Sequence, residues 1–374
     1  MTGRLLNYLK YSCYKAQIEN ITGKRKTDMK LIRKSIVLGV LSGMIVWTFL
    51  KVLAAGTALL WDTLPGMIGS PFYTVVICTV GGLLTGLFRK KAGDYPEEMM
   101  VVLEKVKTEK FYDYTKLPVL LVAAFLPLVF ASSVGPEAGL VGITTAICYW
   151  VAASLRNTQG DELSKKQKRI NYGFAIALGL GTYVALNEIF GAAMEGFPMF
   201  AIAIPRGKDL LLTVVYILAG CLLAKFYDIT HHGCHMTAAK LPPVAKETAA
   251  GLILGITVTF VPQMMFSGES EIHHLMTDYV EYLPWMLLGI AFLKVLITNI
   301  CIQFGLKGGH FFPLIYAGVA LGYAMAMFIY PGNAAEHVVF AAAVVTASML
   351  GANMKQPMLV SLILLICFPI RMAF

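Results

Sequence analysis

Ser132-Ser133-Val134-Gly135-Pro136-Glu137-Ala138-Gly139 follows one apolar run of the chain and opens another. Gly305-Leu306-Lys307-Gly308-Gly309-His310-Phe311-Phe312-Pro313 does the same farther along. Both stretches hold the residues that stop one helix and start the next. Each has a second interruption downstream, at Asn187-Glu188-Ile189 and at Lys355-Gln356-Pro357. The steps are similar: 51 positions from Glu137 to Glu188, and 45 from Phe311 to Gln356. The pairing predicts two homologous halves, about 36–227 and 246–374, each bringing a loop-to-helix element to one place. Broken helices in matching places of two halves mark a binding site in transport proteins.

The surroundings of these breaks are apolar. Of 374 residues, 57% are hydrophobic and 14% charged, against about a quarter charged in soluble domains. Such a chain cannot cover itself with polar groups, so lipid is its solvent. We expect an all-α integral membrane protein with one membrane domain over 36–374 and a basic segment over 1–35. Several apolar runs fall short of the roughly 20 residues of a simple span. Backbone broken at membrane depth is tolerated only where protein buries it or water reaches it. The net charge of +9 is concentrated at the N-terminus, at Arg89-Lys90-Lys91 and at Lys165 to Arg169. By the positive-inside rule these face the cytoplasm, giving a multi-pass protein of the cell membrane with its N-terminus inside. No basic soluble module offers a nucleic-acid site. The first apolar run begins at Ile36 without a small-residue cleavage site, so no cleaved signal peptide is expected. The cysteines lie mostly within apolar runs and read as packing residues.

A helix start carries unpaired N–H groups and the positive end of the helix dipole. It can hold an anion without a full counter-charge, firmly enough to dehydrate it and weakly enough to release it. Glu137 stands at such a start in apolar surroundings. An intramembrane carboxylate is costly and marks function; its plain alternative is a helix cap. The two readings merge if the carboxylate occupies the anion's own seat, because leaving that seat would open the path.

With those residues in view, the chain resembles the CLC chloride channel and chloride–proton antiporter family. Gly135-Pro136-Glu137-Ala138-Gly139 is similar to the family's Gly-Arg-Glu-Gly-Pro, whose glutamate is the gate. Gly309-His310-Phe311-Phe312-Pro313 resembles its Gly-x-Phe-x-Pro, where backbone amides bind chloride. Asn187 and Lys355-Gln356-Pro357 resemble its helix breaks, and Gly251-Leu252-Ile253-Leu254-Gly255 the start of its second half. The resemblance implies tilted, broken helices in two inverted halves, a homodimer, and a chloride channel or anion/proton exchanger. It implies Glu137 as gate. It places the anion at Gly135, Pro136, Ala138, Gly309, His310, Phe311 and Phe312, with Gly93 and Asp94 standing where the family has an ion-binding serine element. The family's last-helix tyrosine has no equivalent before Phe374. Where exchangers carry an inner glutamate, this chain has Phe200; Glu188 and Glu195 are the nearby carboxylates that could relay protons.

Other clusters have duller readings. His231, His232, Cys234 and His235 suit zinc in type, but their spacing fits a polar loop between the halves. His273 and His274 also read as loop residues. His310, beside Phe311, could make the site sensitive to pH. No metal, cofactor or enzyme chemistry is expected. A non-conducting membrane scaffold and, further off, an intramembrane enzyme are the rival classes.

Overall fold

The computed structural model describes residues 32–159, 165–191, 199–200, 205–354, 360, 364, 367 and 368. The described residues are helical, in twelve helices: α1 (Ile32–Ile68), α2 (Tyr73–Ala92), α3 (Met99–Thr108), α4 (Leu117–Val129), α5 (Glu137–Gln159), α6 (Lys165–Phe190), α7 (Asp209–Ala238), α8 (Ala245–Phe260), α9 (Glu269–Asp278), α10 (Pro284–Gln303), α11 (Phe311–Ile329) and α12 (Val338–Met354). Six of them are long and apolar enough to cross a membrane, including α5, α7, α10 and α11. The multi-pass, all-helical membrane architecture expected from the sequence is therefore borne out.

The chain forms two compact units. The first comprises the described residues within 1–50, 109–117 and 144–193. Its helices approach through glycine. A β-carbon on Gly39 would stand 2.6 Å from the Ala175 carbonyl oxygen, and one on Gly43 would stand 2.3 Å from that of Gly179. In lipid no hydrophobic force drives helices together, so small residues that permit close contact do the work. Lys34 donates to the Ser154 carbonyl at 2.6 Å, closing a polar group that lipid cannot satisfy.

The second unit comprises the described residues within 51–108, 118–143 and 194–374. Within it α2 and α8 cross antiparallel, each through a Gly-x-x-x-Gly pair. Gly82 meets the Glu247 carbonyl and Gly86 meets Val244; Gly251 meets the Cys78 carbonyl and Gly255 meets Val75. The contacts on one helix mirror those on the other. Around them, α11 is buried along nearly its whole length, from Phe311 to Ala324. It is apolar on every side, as a helix enclosed by other helices must be. Gly318 lies on Thr346 and Gly322 on Ala342, which brings α12 onto it. The buried Thr85 returns its hydroxyl to its own helix, donating to the Gly81 carbonyl at 2.8 Å. Lys294 of α10 is fully buried, and its ammonium donates to the carbonyls of Gln263, Met265 and Phe266 at 3.1, 3.0 and 2.9 Å.

Three sequence expectations are corrected. Asn187-Glu188-Ile189 does not break its helix, since α6 runs on to Phe190 and the left-handed residue is Gly191. Asn is a moderate helix former, and without a following Pro nothing ends the ladder at that point. His231, His232, Cys234 and His235 lie within α7, and His273 and His274 within α9, not in loops. Polarity alone does not end a helix that leaves the apolar zone. Lys355-Gln356-Pro357 and Glu195 lie outside the described residues.

Candidate functional site

α4 ends and α5 begins across residues 130–136; α10 ends and α11 begins across 304–310. The two connections share one backbone. In the first, Ala131 is left-handed (φ 57°), and the Ser132 N–H reaches back to the Pro127 carbonyl at 3.1 Å. In the second, Gly305 is left-handed (φ 105°), and the Leu306 N–H reaches back to the Cys301 carbonyl at 2.8 Å. This is the closure that satisfies the orphan carbonyls of a helix end. Gly is the natural residue there; Ala131 accepts a conformation that L-residues avoid. Four residues past each left-handed position the two connections meet. The Gly135 N–H donates to the Gly309 carbonyl and the Gly309 N–H to the Gly135 carbonyl, both at 2.7 Å. Two residues later each helix starts, at Glu137 and at Phe311. Every step of this correspondence is offset by the same 174 positions.

Glu137 turns back into this junction. Its Oε1 accepts the Phe312 N–H at 2.9 Å, while Oε2 is sealed from solvent with no hydrogen-bond partner among the described residues. Space for the carboxylate exists only because its walls are glycine. A β-carbon on Gly309 would stand 1.8 Å from Oε2, and one on Gly135 would stand 2.0 Å from it. The carboxylate therefore caps the start of α11, a helix other than its own, where the first-turn N–H groups have no carbonyl partner. Such a seat suits any small anion. Beside it Ser133 Oγ lies 3.3 Å from Thr298 Oγ1, and the buried Ser132 hydroxyl has no partner among the described residues.

The structure brings Gly135, Pro136, Glu137, Ala138, Gly309, His310, Phe311 and Phe312 together, and divides the parts among them. The N–H groups of Gly135 and Gly309 are spent on each other, and Pro136 has none. Their contribution is space and a fixed crossing. The Phe312 N–H donates to the carboxylate. Ala138 is buried in the first turn of α5. The His310 ring lies against that of Tyr227 at 5.7 Å between centroids.

Gly93 and Asp94 follow α2 and join a cluster invisible in the sequence. Arg89 bonds the Gly305 carbonyl at 3.0 Å and Glu247 Oε1 at 2.6 Å, and its other terminal nitrogen contacts Asp94. Lys307 reaches Asp94 at 2.7 Å. Glu247 also accepts the Val244 N–H at 2.8 Å, capping α8. The Arg89–Glu247 pair is buried, whereas Asp94 is exposed. Arg89 thus pins the left-handed turn that leads to the second glycine. Only the nonlocal fold brings positions 89, 247 and 305 together, so the sequence carried no signal for them beyond a charged residue closing an apolar run. Glu188 is exposed on α6. Phe200 is buried, stacked on Phe368 at 4.2 Å, and its N–H donates to the Cys367 carbonyl. No ionisable group occupies that position.

Comparison with known proteins bears on the fold. Residues 207–370 match the family model described as voltage gated chloride channel. The "Putative ion-transport protein YfeO" of Escherichia fergusonii is 24% identical over 352 residues, covering 80% of this chain and 79% of that protein. Its counterpart in Escherichia coli O139:H28 matches to the same extent. Among solved structures, a slow cyanobacterial Cl-/H+ antiporter superposes with a TM-score of 0.68 at 18% identity, over 91% of this chain and 89% of that one. A CLC-type fluoride/proton antiporter superposes with a TM-score of 0.57 at 18% identity, over 91% and 96%. The fold is thus that of CLC-type membrane transport proteins. The resemblance to the CLC family seen in the sequence is borne out, and that family comprises channels and transporters rather than enzymes.

Proposed function

We propose that this protein moves small anions, chloride foremost, across the cell membrane, and that Glu137 is the gate. One observation carries the reading: a carboxylate occupies a helix start whose geometry would otherwise hold an anion. Ionised, Glu137 competes with the anion for the same positive potential. Protonated, it loses that attraction and can leave. Acid then raises flux. The anion's donors are the first-turn N–H groups of α11 around Phe311 and Phe312, with Gly135, Pro136, Ala138 and Gly309 shaping the passage and Gly93 and Asp94 standing near its mouth.

The structural neighbours, a Cl-/H+ antiporter and a CLC-type fluoride/proton antiporter, favour proton exchange over simple conduction. Chloride is our choice because the seat is lined by backbone amides, which do not demand a strongly basic ion. The reading extends to a homodimer, with the N-terminus in the cytoplasm and the ends of α2 and α7 facing the same side. Lysines and arginines at 89–91 support that orientation. Purified protein in liposomes tests the proposal. Chloride, fluoride and nitrate efflux are compared with and without a pH gradient. Chloride efflux that is faster at acidic pH is expected; no anion efflux under any condition would leave a non-conducting scaffold.

A further inference from the structure

We propose that His231, His235 and His310, arranged around Tyr227 and faced by Glu98, form a proton-loading route to the anion seat. The route rests on the exchange reading above. Tyr227, His231 and His235 recur every four residues on α7, so they share one face of that helix. Their exposure falls inward: His235 is exposed, His231 half-buried and Tyr227 buried. The rings are ordered in the same sequence. The Gln303 amide nitrogen lies 2.6 Å from His231 Nε2, and its oxygen lies 3.0 Å from His235 Nδ1, joining the two imidazoles. The His231 ring stacks on Tyr227 at 5.6 Å, and Tyr227 meets His310 at 5.7 Å. His310 directly follows Gly309, whose α-carbon abuts the Glu137 carboxylate.

The charges facing this row are few. Glu98, an exposed carboxylate, acts on Tyr227, His231 and His310. Asp228, His232 and His235 act on His231, and His231 acts on His310. Lys307, beside His310 in the loop, faces Arg89, Glu97 and Glu98. An exposed carboxylate whose charge reaches the imidazoles favours their protonated form and draws a proton toward the row. Imidazole is the side chain that accepts and returns a proton near neutral pH. The proton enters on His235 or His231, crosses the ring separations on a bridging water, passes to His310 and ends on the Glu137 carboxylate. Each imidazole returns to its neutral form, and Glu137 becomes the neutral acid that vacates the seat. Gln303 and Tyr227 are positioning residues that hold the imidazoles.

The test uses the full chain in liposomes under an imposed chloride gradient, with anion and proton movement recorded together. Wild type is expected to move protons against the anion. Anion movement with no proton movement would overturn the exchange reading, and the route with it. With coupled wild type, His231→Gln and Glu98→Gln are each expected to lower the proton-to-anion ratio at least fivefold. His231→Gln should also flatten the dependence of proton flux on pH across the range where that imidazole titrates. His273→Gln, on an exposed face of α9, should keep the wild-type ratio. If His231→Gln fails to give monodisperse protein, Glu98→Gln carries the test, because its side chain is exposed. A wild-type ratio and pH profile in either variant would overturn the route while leaving the exchange reading in place.

Discussion

Residues 127–137 and 301–311 have the same backbone and opposite chemistry. Both end a helix in a left-handed residue, both close that end with an N–H reaching back five residues, and both restart two residues past a bridging glycine. Yet the first restarts on Glu137 and the second on Phe311. The first therefore supplies a carboxylate, and the second the N–H groups that receive it. Symmetry of the main chain makes the meeting point; asymmetry of the side chains gives it the carboxylate that the proposed gate uses. Two carboxylates there would repel, and two bare helix starts would leave the proposed anion seat with nothing to compete for it.

The carbonyls of the two left-handed residues are also held differently. That of Ala131 accepts the Phe266 N–H at 3.3 Å, while that of Gly305 accepts Arg89 at 3.0 Å. The second arm thus depends on a buried ion pair and the first does not. Arg89→Met should produce the largest loss of stability, about 3 kcal/mol or more, because it strands Glu247 in a buried place. Thermal unfolding in detergent measures it. Equal tolerance of Arg89→Met and of changes around Ala131 would break the comparison.

Next in size is the glycine junction. Gly135→Ala should cost about 1–3 kcal/mol as an overpacking change. The three atoms nearest its new β-carbon all belong to the Glu137 carboxyl group. Glu137→Ala in the same chain should therefore restore most of the loss. Failure of that rescue would show that the glycine serves the backbone bridge instead of the carboxylate. Unfolding of the two single variants and the double variant, read as a cycle, decides it.

Glu137→Gln should act on function more than on stability. Its anion flux should rise several-fold at neutral pH and lose its dependence on acid, since the amide is always neutral. A mere cap would leave the pH profile of the surviving flux unchanged. Flux against pH in liposomes separates the two. The smallest effect is expected at Ala131→Gly, a gain of up to about 1 kcal/mol from relief of the left-handed conformation. Gly305→Ala should go the other way, because its β-carbon would fall 2.0 Å from Arg89 Nη1. Opposite signs at these two equivalent positions would sharpen the internal repeat; equal signs would count against it.

Much of this was legible in the residues. Low charge set the solvent, and Gly135-Pro136 and Gly308-Gly309 set the breaks, because Gly and Pro act on their own backbone whatever surrounds them. Glu137 stood out by type, since a carboxylate in an apolar run has few dull explanations. Where local signals were weak the reading failed. Asn187 stayed helical, and the histidines of α7 and α9 lie in helices, because polar residues permit a loop without requiring one. What the tertiary structure alone decided is nonlocal. It gave the reciprocal bridge between Gly135 and Gly309 and the turning of Glu137 onto a helix 174 positions away. It also brought Arg89 onto Gly305, and ranked His235, His231 and Tyr227 from exposed to buried. Hydrogen bonds and close packing between distant segments depend on where the helices cross, and that is set by the whole fold acting at once.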